Sequence, residues 1–224
     1  MKVAVVLSGC GLFDGSEIHE SVLTLLNLDK QGVQYQCFAP NIEQARVVNH
    51  FTREEQENEV RNVLVESARI ARGNIYDLRD FNVIDFDAVI FPGGRGAVSN
   101  LCDFGEHGAS CEIHPEIARV LEDCFESRMP IGAICIAPAM IACVLGQYGI
   151  KLTIGNDEKV ASVLEKAGAK HQVCTAFDAV VDEKNLIVST PAYMLARSVK
   201  EVDAGIARLV EEIIRLKHSL DENL

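Results

Sequence analysis

Cys135 lies where the sequence could build a nucleophile. It stands at the junction between a buried apolar strand pattern and a helical pattern, inside the segment PIGAICIAPA at 130–139. Small neighbours permit the sharp strand-to-helix turn of a nucleophile elbow, and the helix that follows directs its N–H groups at the sulfur. Because the positive end of a helix favours the thiolate, which is the attacking form, this position suits nucleophilic chemistry. A buried, unreactive thiol is the alternative, and position alone does not decide between the two.

Two further segments could complete such a site. Gly93 and Gly94 follow the apolar run that ends at Phe91, and glycines there let the backbone approach a ligand and offer N–H donors to a developing oxyanion. Glu20 lies one turn into the first predicted helix, from which a carboxyl can reach a cysteine at a neighbouring strand end. The alternatives are an ordinary strand-end turn for the glycines and a solvated helix charge for Glu20.

Residue spacing disfavours three other kinds of site. The glycine loop at 8–15 is similar to a dinucleotide fingerprint, but its third glycine is one place late and the next strand ends without the ribose-binding acid. An amidotransferase triad needs a Glu two residues after a distant His, and neither His171 nor His218 is followed by one. A metal site is not expected, because pairs such as Cys102 and Cys111 are spaced too widely for a zinc-binding Cys-x-x-Cys motif.

The composition describes an acidic chain with enough apolar residues for a sizeable core. Of its 224 residues 48% are hydrophobic, and the formal net charge is −12. With no linker-like stretch in the interior, we expect a single domain over residues 1–224. The negative charge and the lack of a basic run disfavour a nucleic-acid partner, and no apolar stretch reaches the length of a membrane span. The eight cysteines, with no secretory signal, predict reduced thiols, most of them core filler, and a cytoplasmic location.

The elements that must position these residues alternate between strands and helices. Short apolar runs at 3–7 and 88–91, with weaker ones at 33–38 and 130–134, are typical of parallel strands buried on both faces. The sequence predicts helices at 16–31 with Ser16 as its cap, 63–72, 114–127, from 136 onward, 157–167 and 197–217. Runs at 178–182 and 186–189 predict a hairpin. This order predicts an α/β fold with a mostly parallel, doubly wound sheet.

The loops of such a sheet have a defined place. Ligands gather beyond the carboxyl ends of the strands, so loops 9–15 and 92–98 and the turn at Cys135 should converge. The polar stretch at 51–62 and the glycine- and serine-rich stretch at 94–111 are expected to be surface insertions.

Seven segments resemble one known family when they are read in order. They are LSGCGLFDGSEIHE at 7–20, CFAPN at 37–41, RNVLVESARIARG at 61–73, PGGRGAVSNL at 92–101, CIAPAM at 135–140, LTIGND at 152–157 and STPAYMLA at 189–196. Together they resemble the DJ/PfpI superfamily of amidotransferase-like proteins, and within it the bacterial group named for enhanced lycopene biosynthesis and described as a glyoxalase. The similarity extends over nearly the whole chain.

The resemblance implies a flavodoxin-like three-layer α/β/α sandwich, usually a homodimer. It implies that Cys135 is the superfamily's reactive cysteine and that Glu20 is its supporting glutamate. Many members carry a histidine shortly after the elbow helix, but the comparable stretch at 152–157 has none, which leaves the proton-transfer partner open. His19 adjoins Glu20, but consecutive helical residues diverge by about 100°, so we expect it to face elsewhere.

The leading hypothesis is a cofactor-independent glyoxalase that takes a small dicarbonyl substrate. Cys135 would add to glyoxal or methylglyoxal as a hemithioacetal, with the Gly94 and Ile136 N–H groups on the oxyanion and Glu20 moving the carbon-bound proton. Glycolate or lactate would be released. Deglycation of protein adducts is a related possibility. The alternative from another class is a non-enzymatic redox-sensing or regulatory protein connected to isoprenoid biosynthesis, in which Cys135 is oxidised.

Overall fold

Strands and helices alternate along the chain in this structure, a computed structural model in which residues 1–222 are described. The strands are β1 Lys2–Val6, β2 Gln34–Ala39, β3 Val48–Asn49, β4 Glu54–Glu55, β5 Ile75–Asp77, β6 Ala88–Phe91, β7 Ile131–Ile134, β8 Lys151–Leu152, β9 Lys170–His171, β10 Val180–Asp182 and β11 Ile187–Thr190. The helices are α1 Ile18–Lys30, α2 Val63–Ile70, α3 Phe104–His107, α4 Pro115–Glu126, α5 Ala137–Leu145, α6 Glu158–Lys166 and α7 Val199–Asp221.

A seven-stranded sheet forms the centre, in the order β10-β11-β7-β6-β1-β2-β5. Its neighbouring strands run parallel except for the hairpin of β10 and β11. Every residue of β6 and β7 is buried, because helices cover both faces of the sheet. The mostly parallel, doubly wound sheet predicted from the sequence is therefore confirmed.

The alternating side chains of β1 separate the core into two halves. Val3 and Val5 belong to a hydrophobic cluster that also takes in residues of α1, α2 and α7. Ala4 and Val6 point the opposite way, into a cluster built with residues of α4, α5 and α6. Helices therefore lie on both sides of the sheet, which confirms the three-layer α/β/α sandwich.

The first helix begins two residues later than predicted. The Ser16 hydroxyl accepts a hydrogen bond from the Ser8 N–H at 2.8 Å, so it ties the loop to the end of β1 and does not cap the helix. The Glu17 carboxylate is the cap, and it accepts the Glu20 N–H at 2.7 Å. The sequence did not predict β5 or the two-residue ladders, since runs of two or three partly exposed residues carry too weak a pattern. Within residues 1–222, none of the helices combines the length and the apolar character that crossing a membrane would need.

Helix α7 passes so close to the sheet that a side chain at Gly205 has no room. A Cβ there would lie 2.5 Å from the Ala176 carbonyl oxygen and 2.6 Å from the Thr190 Oγ1. That hydroxyl is itself held in place, because it donates to the Asp178 carbonyl at 2.8 Å. The contact explains a glycine in the middle of a long helix.

We expect Gly205→Ala to destabilise the protein. Alanine gains about 1 kcal/mol of helix propensity over glycine, but overpacking against fixed neighbours costs about 1–3 kcal/mol, so the net change in the free energy of unfolding is a loss. Urea unfolding measures it, with Lys200→Ala on the exposed face of α7 as the control. A Gly205→Ala variant as stable as the parent would show that the helix can move away from the sheet at no cost.

Candidate active site

Cys135 occupies a strained turn between β7 and α5. Its backbone φ is 62°, a left-handed conformation that residues with a side chain rarely adopt. Its N–H donates to the Thr190 carbonyl at 2.9 Å, which joins the turn to the end of β11. Such strain costs on the order of 1–3 kcal/mol and persists only where the surroundings enforce it. The turn thus has the geometry of the nucleophile elbow predicted from the sequence.

Three groups act directly on the Cys135 sulfur. The backbone N–H groups of Gly94 and Ile136 donate to it and lower its pKa. Burial raises the pKa most strongly, and the Glu20 carboxyl beside it raises it further, so that the net pKa lies well above the usual range of a thiol. Cys135 is only 8% exposed. At rest the sulfur is therefore a protonated thiol in contact with a carboxyl group.

Glu20 is fully buried, at 0% exposure, yet both of its oxygens have partners. Oε2 accepts the Gly93 N–H at 3.1 Å, and Oε1 accepts the Tyr193 N–H at 3.3 Å. Burial raises the pKa of Glu20 to about 8, and the neighbouring Glu17 charge adds to the increase. The bond from the Cys135 thiol and the two backbone N–H groups act in the opposite direction. The result is a carboxyl group that can hold or release a proton near neutral pH.

The first turn of α1 is fixed to the glycine turn that follows β6. The Glu17 N–H donates to the Gly93 carbonyl at 2.9 Å, while the Thr24 hydroxyl donates to the Glu20 carbonyl at 2.7 Å. A Cβ at Gly93 would lie 2.5 Å from the Cys135 Cβ and 2.6 Å from the Glu20 Oε2. Only glycine therefore lets the two reactive side chains approach each other across this turn.

The predicted site residues lie together, but their backbone N–H groups donate to two different acceptors, the Cys135 sulfur and the Glu20 carboxyl group. The N–H groups of Gly94 and Ile136 donate to the sulfur, where they stabilise negative charge. The N–H of Gly93 is occupied by Glu20 and serves to hold the carboxyl group.

The loops expected to converge here do so. The Arg95 N–H donates to the Leu12 carbonyl and the Gly96 N–H to the Gly15 carbonyl, both at 2.9 Å.

Tyr193 is the site residue that sequence reasoning missed. Its N–H reaches Glu20, and its hydroxyl lies 2.7 Å from the Nδ1 of His19, an exposed residue. His19 thus faces away from the sulfur, as expected from its place on the helix, and binds the rim of the site instead. In the sequence only Pro191, directly after β11, indicates a turn here; in the structure Ala192 has a φ of 43°, and this turn brings the Tyr193 N–H inward. No group of three or more His, Cys, Asp or Glu side chains in residues 1–222 is arranged to hold a metal ion.

Known proteins are similar in sequence to this chain over most of its length. A Homo sapiens protein named glutamine amidotransferase-like class 1 domain-containing protein 3, mitochondrial, is 41% identical over 224 residues, covering 96% of this chain and 83% of that protein. A Rattus norvegicus protein named ES1 protein homolog, mitochondrial, is 40% identical over 224 residues, covering 96% and 84%. The chain belongs to the amidotransferase-like proteins of the DJ/PfpI superfamily. The resemblance seen in the sequence is thereby confirmed.

Solved structures agree with this membership of the DJ/PfpI superfamily. An Ehrlichia chaffeensis isoprenoid biosynthesis protein with an amidotransferase-like domain superposes with a TM-score of 0.90 at 39% identity, covering 96% of this chain and 99% of that one. Drosophila melanogaster DJ-1beta shares the fold, with a TM-score of 0.52 at 17% identity over 98% of this chain and 96% of that one. No family model matches the chain.

The cytoplasmic location predicted from the sequence is wrong as a plain assignment. Both curated relatives described above carry names that place them in mitochondria. The prediction depended on reduced thiols and on the lack of a secretory signal. Neither observation distinguishes the cytosol from another compartment in which thiols stay reduced.

The raised pKa of Glu20 makes stability depend on pH. Between the ordinary value of 4.5 and about 8 the folded protein keeps a proton on Glu20 that the unfolded chain releases, so raising the pH through this window favours unfolding. We expect the free energy of unfolding of the parent, relative to that of Glu20→Gln, to fall by a few kcal/mol from pH 4.5 to 8, at about 1.4 kcal/mol per pKa unit.

Urea unfolding of both proteins across this pH range measures the difference. The exposed helix variant Glu122→Gln is the control, and it should follow the parent at every pH. Parallel curves for the parent and Glu20→Gln would show that the buried carboxyl group does not retain its proton.

Proposed function

We propose that this chain is a cofactor-independent glyoxalase that converts glyoxal to glycolate, or methylglyoxal to lactate. The observation that supports it is the contact between the buried Glu20 carboxyl and the Cys135 thiol, with two backbone N–H groups directed at the same sulfur. A nucleophile and an acid–base group that touch each other can form a carbon–sulfur bond and move a proton on the adjacent carbon. An internal redox isomerisation of an α-oxoaldehyde needs those two steps.

The reaction begins when the Cys135 sulfur attacks the aldehyde carbon. The thiol proton passes to the Glu20 carboxylate and from there to the former carbonyl oxygen, which gives a neutral hemithioacetal. The N–H groups of Gly94 and Ile136 lie beside the sulfur, where they can stabilise the negative oxygen that develops on the neighbouring carbon.

Glu20 then acts as a base on the hemithioacetal carbon. It removes the carbon-bound proton, which gives an enediolate, and the same carboxyl group returns that proton to the second carbon. The hydroxyl proton on the first carbon passes to the oxygen on the second. The product is a thioester of the 2-hydroxy acid, and no electrons leave or enter the substrate. Water cleaves the thioester to release the acid and restore the Cys135 thiol. A carboxyl group with a pKa of about 8 suits both halves of this proton transfer.

The burial of the site favours small substrates. Cys135 is 8% exposed, and Glu20 is not exposed at all. A free dicarbonyl of two or three carbons can approach such a sulfur more readily than an adduct carried on the side chain of another protein. This supports the glyoxalase reaction over deglycation.

A regulatory function is the second candidate. The Ehrlichia chaffeensis neighbour is named as an isoprenoid biosynthesis protein, which connects this fold to that metabolism without an activity. Oxidation of Cys135 would be the signal in such a protein. The raised pKa of Cys135 slows this reaction, because the thiolate is the form that oxidants attack, and none of the three groups that act on its sulfur is a thiol that could form a disulfide with it.

We expect Cys135→Ala to abolish formation of glycolate and lactate. Glu20→Gln should lower kcat by about 100- to 10,000-fold, the usual contribution of a general acid–base group. NMR detection of the acid product from glyoxal and methylglyoxal measures both, with Cys174→Ser, a cysteine that shows no interaction with Glu20 or Cys135, as the matched control. Equal product formation by the parent and Cys135→Ala would show that this sulfur does not catalyse the reaction.

The pH dependence of kcat/KM should report the ionisation of the Glu20 carboxyl and Cys135 thiol pair. The base form of Glu20 becomes populated as the pH rises through about 8, so kcat/KM should rise from pH 6 and level off above that value. An exposed glutamate would level off near its ordinary pKa of about 4.3. Steady-state kinetics on methylglyoxal from pH 5.5 to 9.5 make the comparison, and a flat profile over this range would contradict the proposed proton transfer.

A further inference from the structure

Three cysteines that lie far apart in the sequence meet at one place in the fold. Cys102 and Cys111 lie on the segment that follows the glycine turn, and Cys143 lies on α5. The Cys111 N–H donates to the Gly108 carbonyl at 3.1 Å, and the same carbonyl oxygen lies 3.9 Å from the Cys143 Sγ. Cys111 also acts on the thiols of both Cys102 and Cys143, raising the pKa of each. We call these residues the thiol cluster; it has no part in the chemistry proposed for Cys135.

Cys102 and Cys111 lie on two backbone segments that pair with each other. Cys102 pairs with Ile113 in an isolated antiparallel bridge, and the ladder continues outward through the bond from the Asp103 N–H to the Glu112 carbonyl at 3.2 Å. Segment 101–114 is therefore a loop closed at its base. Cys111 lies two residues before Ile113 in the chain. Because side chains two residues apart share a face of an extended segment, Cys111 lies on the same face as Ile113 and its partner Cys102.

Cys143, on the helix that follows the elbow, lies beside this loop. The Cys143 Sγ lies 3.9 Å from the Gly108 carbonyl oxygen at the outer end of the loop. Helix α5 begins immediately after Cys135 and Ile136. Cys143 is therefore on the same rigid element that sets the position of the reactive turn.

The environment of the thiol cluster favours sulfur in an uncharged form. Burial raises the pKa of Cys102 to about 12, and burial together with the neighbouring Cys111 raises that of Cys143 as well. Cys102 is 5% exposed, whereas Cys111 and Cys143 are half-buried and reach the surface. Cys111 is thus both accessible and central.

We propose that the thiol cluster is a redox site in which Cys111 forms a reversible disulfide with Cys143, and that Cys102 is the alternative partner. The oxidant is a low-molecular-weight disulfide such as oxidised glutathione. The Cys111 thiolate attacks it, which forms a mixed disulfide and releases one glutathione thiolate. The Cys143 thiolate then attacks the Cys111 sulfur and releases the second. Two protein thiols become one disulfide, one glutathione disulfide becomes two thiols, and the protons pass from the protein to the released thiolates.

The two possible disulfides differ in what they constrain. A Cys102–Cys111 disulfide closes a loop that the backbone ladder already closes, so it adds no connection to another element. A Cys111–Cys143 disulfide joins the loop after the glycine turn to the helix after Cys135. Exchange between them needs only attack of the Cys102 thiolate on Cys111, with no further oxidant.

Equilibration of the whole protein in glutathione buffers of defined redox poise, followed by acid quenching and peptide mass spectrometry, tests the proposal. We expect a Cys111–Cys143 linkage in the parent and in Cys135→Ala. Cys111→Ser and Cys111→Ala should form no disulfide in the cluster, and Cys143→Ser should retain only Cys102–Cys111. Cys174→Ser, a buried cysteine without a thiol partner among the interactions of the described residues, is the matched control and should behave as the parent.

Hydrogen exchange tests the connection to α5. Exchange in segment 101–114 and in α5 should slow on oxidation of the parent and remain unchanged on oxidation of Cys143→Ser. Circular dichroism of the reduced variants confirms that each is folded before oxidation. No linkage in the parent at any poise, a linkage confined to Cys102–Cys111, or a disulfide within the cluster in either Cys111 variant would overturn the proposal. None of these results depends on whether the protein is a glyoxalase, because the Cys135→Ala protein is tested in the same way.

Discussion

The contact between Glu20 and Cys135 is the interaction on which the arrangement of the site depends. It brings two ionisable groups together in the interior, where burial raises the pKa of each and only a few donors are available. A single negative charge shared between them can be stabilised by the four N–H groups that reach the pair, whereas two adjacent negative charges could not be. The surrounding backbone is accordingly arranged around one charge that moves between oxygen and sulfur.

The supports of this contact come from four different strand ends. The loop after β1 leads into the Glu17 cap, and the turn after β6 supplies Gly93 and Gly94. The ends of β7 and β11 supply two non-glycine residues with positive φ, Cys135 and Ala192. Most of these supports fix a backbone N–H or remove a side chain; the Glu17 cap is itself ionisable, and its charge raises the pKa of Glu20 further. This is how a parallel sheet builds a site, because the carboxyl ends of its strands meet at one edge while its helices carry the packing.

Sequence patterns were sufficient to predict the alternating strands and helices of the fold. The continuous apolar run at 88–91 became β6 with the predicted bounds, because burial on both faces leaves little choice of residue. The start of α1 was harder to predict, since Ser16 and Glu17 can both cap a helix and only the tertiary bond from Ser8 to Ser16 decides between them. Tyr193 could not be assigned, because it acts through its backbone N–H, a group that every residue except proline possesses.

The same limit applies to cysteine spacing. The spacing of Cys102 and Cys111 disfavours a zinc-binding Cys-x-x-Cys motif, but it carries no information about thiols that the fold brings together. A loop closed at its base and a helix from another part of the chain place Cys102, Cys111 and Cys143 near one another, which no short-range pattern records. Cys37, by contrast, has a pKa raised to about 12 by burial alone, as expected of the core cysteines that the sequence predicted.

Helix α5 shows why cysteines at its two ends suit different chemistry. At its beginning, Cys135 receives N–H donors from Gly94 and Ile136, so a negative charge that develops there during a reaction is stabilised. Near its end, Cys143 lies beside a carbonyl oxygen and other sulfur atoms, and a negative charge there is opposed by every neighbour. A disulfide carries no charge, so burial that disfavours the thiolate slows the formation of the bond without opposing the product. The polarity of one helix thus separates a position suited to a nucleophile from a position suited to a covalent link.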